Sequence, residues 1–439
     1  MRDLLFEIGT EELPAGFLAP ALSQLEELFR RKAAALRLGH GRLQSLGTPR
    51  RLALQVFDLA ERQEEGREEL LGPSRQAGID PTGAYTRAAE GFARSKGATV
   101  DQLQVVATAK GEYLMLIREV AGQPASELLG ELLHSVLLEL SFAKSMRWGS
   151  NLHPFARPIQ WLVALYGNEV IPFSHEGVAS GNLSRGHRFL APDSFLVDSP
   201  AEYPGQLAQR FVLVDPQERR AQVVREITAA AAQAANWPDA RVAVDEALVD
   251  TVTNLVEYPF AICGQFDEKF LQLPAAVLIT SMREHQKYFP VVDGENRLLA
   301  GFVAVNNTRV LDQATTRKGH QRVLRARLED ALFFYNSDRQ TRLEERIPQL
   351  QGIIFQAGLG TMLEKNDRLV KLVRILADQL APELAEECCR AALLCKTDLL
   401  SAMVGEFPTL QGTMGAAYAR FDGEPESVAL AIEEHYLPK

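Results

Sequence analysis

Cysteine is scarce in this 439-residue sequence: Cys263, Cys388, Cys389 and Cys395 are the only four, and none forms a C-x-x-C pair. That usage argues against a disulfide scaffold and for the reduced thiols of a cytoplasmic protein. Long apolar runs are missing too. No stretch approaches the roughly 20 apolar residues that span a bilayer, so the membrane is not an expected partner. The opening Met1-Arg2-Asp3-Leu4-Leu5-Phe6-Glu7 has neither a basic leader nor a sustained apolar core, so it does not read as a secretory signal. Positive net charge is also absent: 47 Lys and Arg face 57 Asp and Glu, a formal charge of −10. Such a chain does not coat nucleic acid indiscriminately, and any specific RNA contact has to come from local basic patches.

Phosphate-cradling sequence is missing as well. There is no Walker loop with Gly-Lys-Ser/Thr, and the nearest glycine cluster, Gly358-Leu359-Gly360, reads as a helix-capping turn. No internal repeat or low-complexity tract occurs. What is present is an ordinary globular composition, 46% apolar and 24% charged, in a chain long enough for two or three domains.

Apolar periodicity predicts a buried strand over residues 3–8 and a helix over 15–38, with Leu18, Leu22, Leu25, Leu28 and Phe29 at helical spacing. Leu52, Leu54, Val56 and Leu59 predict the next strand, so the opening is β-α-β, as in an α+β layer. Residues 61–69 are charge-dense and read as a solvated linker. A turn at Asp80-Pro81-Thr82-Gly83 and a helix over 84–96 make a small helical insertion at about 75–100. Strands follow over 103–107 and 113–120, with a turn at Lys110-Gly111, and then a helix over 125–140. Gly167-Asn168 and Asp293-Gly294 read as hairpin turns. From Arg309 onward helical periodicity takes over, with Leu369, Val370, Leu372, Val373 and Leu376 as one apolar stripe. The expected division is an α+β body over 1–307, a basic helical connector over 308–327 and an all-helical domain over 328–439.

Mixed-type motifs run through this frame in a fixed order. They begin with Leu5-Phe6-Glu7-Ile8-Gly9-Thr10-Glu11-Glu12-Leu13-Pro14 and Thr48-Pro49-Arg50-Arg51-Leu52-Ala53. Lys144-Ser145-Met146-Arg147-Trp148-Gly149, Phe155-Ala156-Arg157-Pro158, Arg185-Gly186-His187-Arg188-Phe189 and Glu257-Tyr258-Pro259 follow, then Ser281-Met282-Arg283-Glu284-His285-Gln286-Lys287-Tyr288-Phe289. The densest series is C-terminal: Lys396-Thr397-Asp398-Leu399, Met403-Val404-Gly405-Glu406-Phe407, Leu410-Gln411-Gly412-Thr413-Met414-Gly415-Ala416-Ala417-Tyr418-Ala419, Gly423-Glu424 and Glu434-His435-Tyr436-Leu437-Pro438. This series resembles the β-subunit family of the bacterial two-subunit glycyl-tRNA synthetase, and the resemblance covers nearly the whole chain. Family members continue past the E-H-Y-x-P segment into an anticodon-binding domain, which this sequence does not include.

The resemblance implies a tRNA-handling subunit that does not itself activate the amino acid. A separate α-subunit would join glycine to tRNA(Gly) with ATP and Mg, giving AMP and pyrophosphate, within a cytoplasmic α2β2 tetramer. ATP binding would belong to that partner, and neither a catalytic residue, a metal ligand nor a bound cofactor is expected on this chain. The sequence agrees in lacking the arginine motifs of a class II ATP site and the class I H-I-G-H and K-M-S-K-S. Any editing-like module reads as a scaffold or RNA-binding surface, because glycine is the smallest amino acid and a tight pocket already excludes larger ones.

The helical domain also resembles the HD superfamily, which offers a rival reading as a metal-dependent phosphohydrolase. From residue 309 onward, however, the only histidines are His320 and His435, and Lys396-Thr397-Asp398 stands where a His-Asp pair is wanted. An ammonium opposes a cation, so Asp398 is expected to cap or pair within a helix bundle. A third reading is an assembly scaffold without direct RNA contact.

Basic patches carry the remaining signal. Arg30, Arg31, Lys32, Arg37, Arg42, Arg50 and Arg51 lie between Glu27 and Asp58 without an intervening acid; the first three read as the solvated face of a helix. Lys144, Arg147 and Arg157 are interleaved with Phe142, Trp148, Phe155 and Trp161. Arginines pair with phosphates and aromatic faces stack on unpaired bases, although the two tryptophans read more simply as core. Lys144 and Arg147 suit either RNA or a subunit contact. Arg185, His187 and Arg188 form another patch. Arg317, Lys318, His320, Arg322, Arg325 and Arg327 form a run that either lines tRNA or neutralises nearby carboxylates. The tRNA-contact candidates are therefore Lys144, Arg147, Arg157, Arg185, Arg188, Lys318, Arg322 and Arg325.

Overall fold

The computed structural model describes residues 1–109, 111–234 and 237–438. It divides into two compact units, Met1–Glu218 and Arg219–Lys439. The architecture is α+β with several sheets, and the last part of the chain is largely helical.

The first unit opens with β1 (Arg2–Thr10), α1 (Ala15–Ala35), β2 (Leu43–Thr48) and β3 (Arg51–Leu59). Next come β4 (Gly66–Ser74), α2 (Arg75–Gly78), α3 (Arg87–Ser95), β5 (Leu103–Thr108), β6 (Gly111–Val120) and α4 (Ala125–Glu139). It continues with β7 (Ile159–Tyr166), β8 (Glu169–Val170), β9 (Ser174–His175), β10 (Val178–Gly181), β11 (Leu183–Arg185), β12 (Ser194–Leu196) and α5 (Tyr203–Ala208). The main sheet has the order β2-β3-β1-β7-β10-β9, with β8 paired to β7 and only the β10–β7 pair parallel. Both of its faces are covered, which is why β1 reads as an almost continuous apolar run. Leu4, Phe6 and Ile8 pack beneath α1 and α4, against Leu25, Phe29, Leu129 and Leu133. Leu5, Ala53, Val163 and Leu165 turn to the opposite face and meet Phe195, Tyr203 and Leu207.

Two sequence expectations change here. The charge-dense residues 61–69 do not stay a linker, because β4 begins at Gly66 and pairs antiparallel with β6. Arg67 and Glu69 lie together on an exposed face, where a strand tolerates charge. Residues 75–100 hold two short helices, but these sit on the three-stranded sheet β4-β6-β5, with Ala89, Ala93, Leu103, Leu114 and Leu116 as a small core. Of the expected Lys110-Gly111 turn, Lys110 lies outside the described residues; Gly111 has a φ of +122° and opens β6.

The second unit contains most of α6 (Pro216–Ala232), then β13 (Arg241–Val242), α7 (Glu246–Thr253), β14 (Phe260–Gln265), α8 (Ala275–Thr280), β15 (Phe289–Val292) and β16 (Leu298–Asn306). α9 (Gln313–Asp338), α10 (Leu343–Arg346), β17 (Ile354–Gln356), β18 (Gly360–Thr361) and α11 (Met362–Leu380) follow. The last elements are α12 (Ala385–Leu394), α13 (Ala402–Glu406), α14 (Thr413–Asp422) and α15 (Glu426–Glu434). Its antiparallel sheet has the order β13-β15-β16-β14, leaving β14 on an edge. One face buries Phe289, Val291 and Val303 against Val223, Ile227 and Val249 of α6 and α7. The other places Phe302 and Ala304 in one core with Leu324 and Leu328 of α9 and with Met414 and Ile432 further on. The passage from strands to helices near Asn307 therefore falls inside this unit, since sheet and helices share a core.

α11 shows the stripe read from the sequence, but only Asn366 and Ala377 of this helix are buried. Leu372, Ile375, Leu376 and Leu380 are each more than half exposed. Among the described residues no helix is long and apolar enough to cross a membrane.

Candidate nucleic-acid interface

In the first unit, three arginines are organised around Trp161 of β7. Its ring lies across Gly9 of β1, where a Cβ would come within 1.9 Å of the indole Cε2, so only glycine fits. The guanidinium carbons of Arg50, Arg51 and Arg185 stand 5.8, 5.6 and 5.1 Å from the ring centroid, within cation–π range. Beneath them Arg51 and Glu7 are wholly buried and paired at 3.3 Å. Arg51 also donates to the Arg185 carbonyl at 2.8 Å, and Ser184 Oγ donates to Glu7 Oε1 at 3.0 Å. Loss of water outweighs the opposing pull of Arg51, and the Glu7 carboxyl is pushed above its ordinary range. Trp161 itself is buried. It is a core side chain that seats arginines rather than a surface on which a base could lie, and half-buried Trp148 packs against the other core.

The neighbouring motif residues are arranged less uniformly. His187 is buried, and its Nδ1 accepts from the Phe189 and Leu190 amides, both at 3.2 Å. It fixes a loop from a buried position, contrary to its place in the sequence patch. Arg188 is exposed and pairs with Glu11 at 2.6 Å and Glu12 at 3.6 Å. Lys144 and Arg147 are exposed between α4 and β7, on a segment closed by the Met146–Phe155 bridge. Arg147 Nε donates to the Leu152 carbonyl at 2.8 Å, and half-buried Arg157 donates to the Ala156 carbonyl at 2.8 Å. Among the described residues Lys144, Arg147, Arg157 and Arg185 have no carboxylate at ion-pair distance.

In the second unit, α9 sorts the basic run by its helical period. Asp312 caps its start, accepting from the Thr315 amide at 3.1 Å. Leu324, Leu328, Ala331 and Tyr335 recur every three or four residues and are buried. Lys318, Arg322 and Arg325 recur on another stripe, exposed, and line a hollow of about 430 Å³ with Gln265, Gln321 and Asp267. Asp267 Oδ1 is engaged by the Lys269 amide at 3.0 Å. Among the described residues none of the three cations has a carboxylate at ion-pair distance, although the Lys318 charge helps to hold the Asp312 carboxyl below its ordinary range.

His320 and Arg317 leave the run. The Asn306 amide nitrogen donates to the Phe260 carbonyl, so its oxygen faces His320 Nε2 at 3.0 Å, and Nδ1 accepts from the Tyr288 hydroxyl at 2.7 Å. Burial holds the imidazole below its usual range, which favours this neutral tautomer, and the ring pins the helix to the sheet; burial pushes Tyr288 up to about 12. Arg317 Nε donates to the Cys263 carbonyl on β14 at 2.8 Å.

The C-terminal motifs meet in a buried knot. Asp398 Oδ2 accepts from the amides of Gly412 at 2.7 Å and Gly415 at 3.2 Å, capping α14. Gly412 has a φ of +83°, a conformation that favours glycine. His435 Nδ1 donates to the Ile432 carbonyl at 2.6 Å, leaving Nε2 to accept from Lys396 at 2.7 Å. The Lys396 ammonium also lies 3.8 Å from the Tyr436 ring centroid. Burial lowers the pKa of both Lys396 and His435. A second knot escaped sequence reading: Asp338 accepts from the Ala402 and Met403 amides and from the Tyr418 hydroxyl, at 2.9, 3.0 and 2.9 Å. Its only sequence signal was the tyrosine of the Gly415-to-Ala419 motif. Among the described residues no cluster of three or more His, Cys, Asp or Glu is placed to hold a metal ion.

Comparison with known proteins adds the following. A family model described as Glycyl-tRNA synthetase beta subunit matches residues 4–439. A protein of Syntrophus aciditrophicus (strain SB) named Glycine--tRNA ligase beta subunit is 48% identical over 437 residues. Proteins of the same name from Citrifermentans bemidjiense and Myxococcus xanthus are 47% and 48% identical over 437 and 440 residues. The alignments cover 100% of this chain but only 63%, 63% and 62% of the three relatives.

Proposed function

The chain belongs to the glycyl-tRNA synthetase β-subunit family, and from that premise we propose that it binds and positions tRNA(Gly) while a separate α-subunit attaches glycine. The match over residues 4–439 carries this reading. ATP and Mg would act on the α-subunit, giving AMP and pyrophosphate, in a cytoplasmic α2β2 assembly. This chain would supply no catalytic group. The stripe Lys318, Arg322 and Arg325 supports direct RNA contact, because three exposed cations that have no carboxylate at ion-pair distance among the described residues are available to phosphate. Exposed Lys144 and Arg147 are available in the same sense and half-buried Arg157 and Arg185 less so, whereas Arg188 would first have to leave Glu11. The Lys396–His435 contact speaks against a phosphohydrolase, since it engages the ring nitrogen that a metal would need and sets a cationic group beside it.

The test is tRNA(Gly) binding and glycylation by this chain with and without an α-subunit. Binding should weaken with salt, and glycine-dependent pyrophosphate exchange should require the α-subunit. Exchange by the rigorously purified chain alone would overturn the division of labour. The Lys318→Ala/Arg322→Ala/Arg325→Ala variant should bind tRNA more weakly and with a shallower salt slope. An unchanged slope would move the contact to another patch.

A further inference from the structure

Beside the cationic hollow on α9, and sharing Gln265 and Gln321 with it, lies a second cleft of about 620 Å³ between α6, the edge strand β14 and α9. We propose that this cleft receives one unpaired nucleobase of an RNA whose phosphates rest on Lys318, Arg322 and Arg325. The inference rests on the tRNA-handling reading and sharpens it, making this contact one with a single strand rather than a duplex.

The lining chemistry supports a base. Four glutamines, Gln233, Gln265, Gln313 and Gln321, face the cleft, and none has a side-chain hydrogen bond among the described residues. Each amide offers a donor and an acceptor, the combination that reads base edges. Half-buried Phe260 supplies an aromatic surface in the same cleft. The volume falls in the range of sites that hold nucleotide-sized ligands. The bases of an A-form duplex are paired and stacked and cannot enter such a space, whereas an unpaired nucleotide can be splayed into it.

Charge fixes which end takes which part of the nucleotide. Glu226 lines the cleft, its oxygens accepting from the Gln222 amide at 3.0 Å and the Ala261 N–H at 3.2 Å. A carboxylate repels phosphate but accepts from the exocyclic amine of a base. Arg317, tied by Nε to the Cys263 carbonyl, stands in the same cleft. The cations Lys318, Arg322 and Arg325 lie on the other side of Gln265 and Gln321. The base therefore goes toward Glu226 and the phosphate toward the stripe. Glu226 and Arg317 also occupy edge groups of β14, so the strand's exposed backbone is not what recruits the ligand.

The test compares two RNAs of equal length, a blunt A-form duplex and a duplex with a four-nucleotide 3′ extension carrying 4-thiouridine. The Gln313→Ala/Gln321→Ala variant changes only helix-surface positions, and its fold is checked by circular dichroism and thermal midpoint. It should bind the extended RNA about tenfold more weakly, the scale of one base contact, and the blunt duplex within about twofold of the parent. Photocrosslinks should map to residues 260–265 and 313–321, and the extended RNA should protect Cys263 from maleimide. If the variant weakens both RNAs equally or neither, or if crosslinks fall elsewhere, the cleft is not a base site although tRNA handling stands. If neither RNA nor tRNA(Gly) binds at low salt, both readings fall. Protection of Cys263 by an α-subunit instead of RNA would make the cleft a protein interface and overturn the inference.

Discussion

Asp398 decides between a capping carboxylate and a relic of metal chemistry, and its removal has a calculable cost. Asp398→Ala deletes the acceptor for two amides at the start of α14, Gly412 at 2.7 Å and Gly415 at 3.2 Å. A buried donor left without a partner costs about 1–3 kcal/mol, and a lost helix cap costs about 0.5–2 kcal/mol. The two figures describe overlapping bonds, so they are not summed. One term runs the other way: desolvation already pushes the Asp398 carboxyl above its ordinary range, and the substitution removes that strain. Two donors are stranded, a gross cost of about 2–6 kcal/mol, so after that relief the net expectation is a loss of about 3 kcal/mol for Asp398→Ala and about 1 kcal/mol for Asp398→Asn, which keeps an acceptor oxygen. Hydrogen exchange read by mass spectrometry over residues 412–420 is the direct assay. With tenfold per 1.4 kcal/mol, the alanine variant should exchange about a hundredfold faster and the asparagine variant about fivefold faster. Parental exchange in both variants would refute the cap. So would a transition metal bound at one equivalent whose phosphate-ester turnover disappears in Asp398→Ala.

Gly9→Ala puts a methyl group 1.9 Å from the Trp161 ring, so the ring and the arginines seated on it must shift. Overpacking of this kind costs about 1–3 kcal/mol, and a parental urea midpoint would show that the sheet yields more easily than its geometry implies. His153, His175, His320 and His435 are all held below their usual pKa by burial. The unfolded chain therefore binds more protons than the folded one below about pH 6.5, and the stability present above that value is lost as pH falls. Thermal midpoints measured from pH 7.5 to 5.5 should decline, and less steeply in His435→Gln; a flat parental profile would contradict this. Arg325→Ala should make the salt slope of tRNA binding shallower by about 0.7–0.9, and an unchanged slope would remove Arg325 from the contact.

Periodicity made β1, α1, α4 and β6 legible because each buries a regular set of apolar side chains. β2 was not readable, since Gln44, Ser45 and Gly47 interrupt its pattern and its pairing with β3 recruits it. β4 was hidden by charges on its exposed face. For the candidate cations, sequence gave composition but not partners. Arg188 meets Glu11 across 177 positions, and Arg185 lies over Trp161, while only the α9 stripe follows from local spacing. The glutamine cleft was invisible because its walls come from α6, β14 and α9, and single glutamines carry no motif. The C-terminal motifs were conspicuous for another reason: their residues cap and buttress one another rather than face solvent.

The buried pair of Glu7 and Arg51 bears on how the first unit reaches its fold. In the native alignment Glu7 lies opposite Ala53 and Arg51 opposite Gly9, with both charges on the same side of the sheet. A slip of one residue between β1 and β3 would turn one charge toward the leucines beneath α1 and leave the other unpaired. An unpaired buried charge is penalised by about 3–5 kcal/mol, far more than a correct pair contributes over apolar side chains of similar size. The pair therefore acts chiefly against misalignment. Replacing both residues by leucine and methionine would admit shifted pairings during refolding, and would lower native stability only through the partners it strands, Ser184 Oγ and the Arg185 carbonyl.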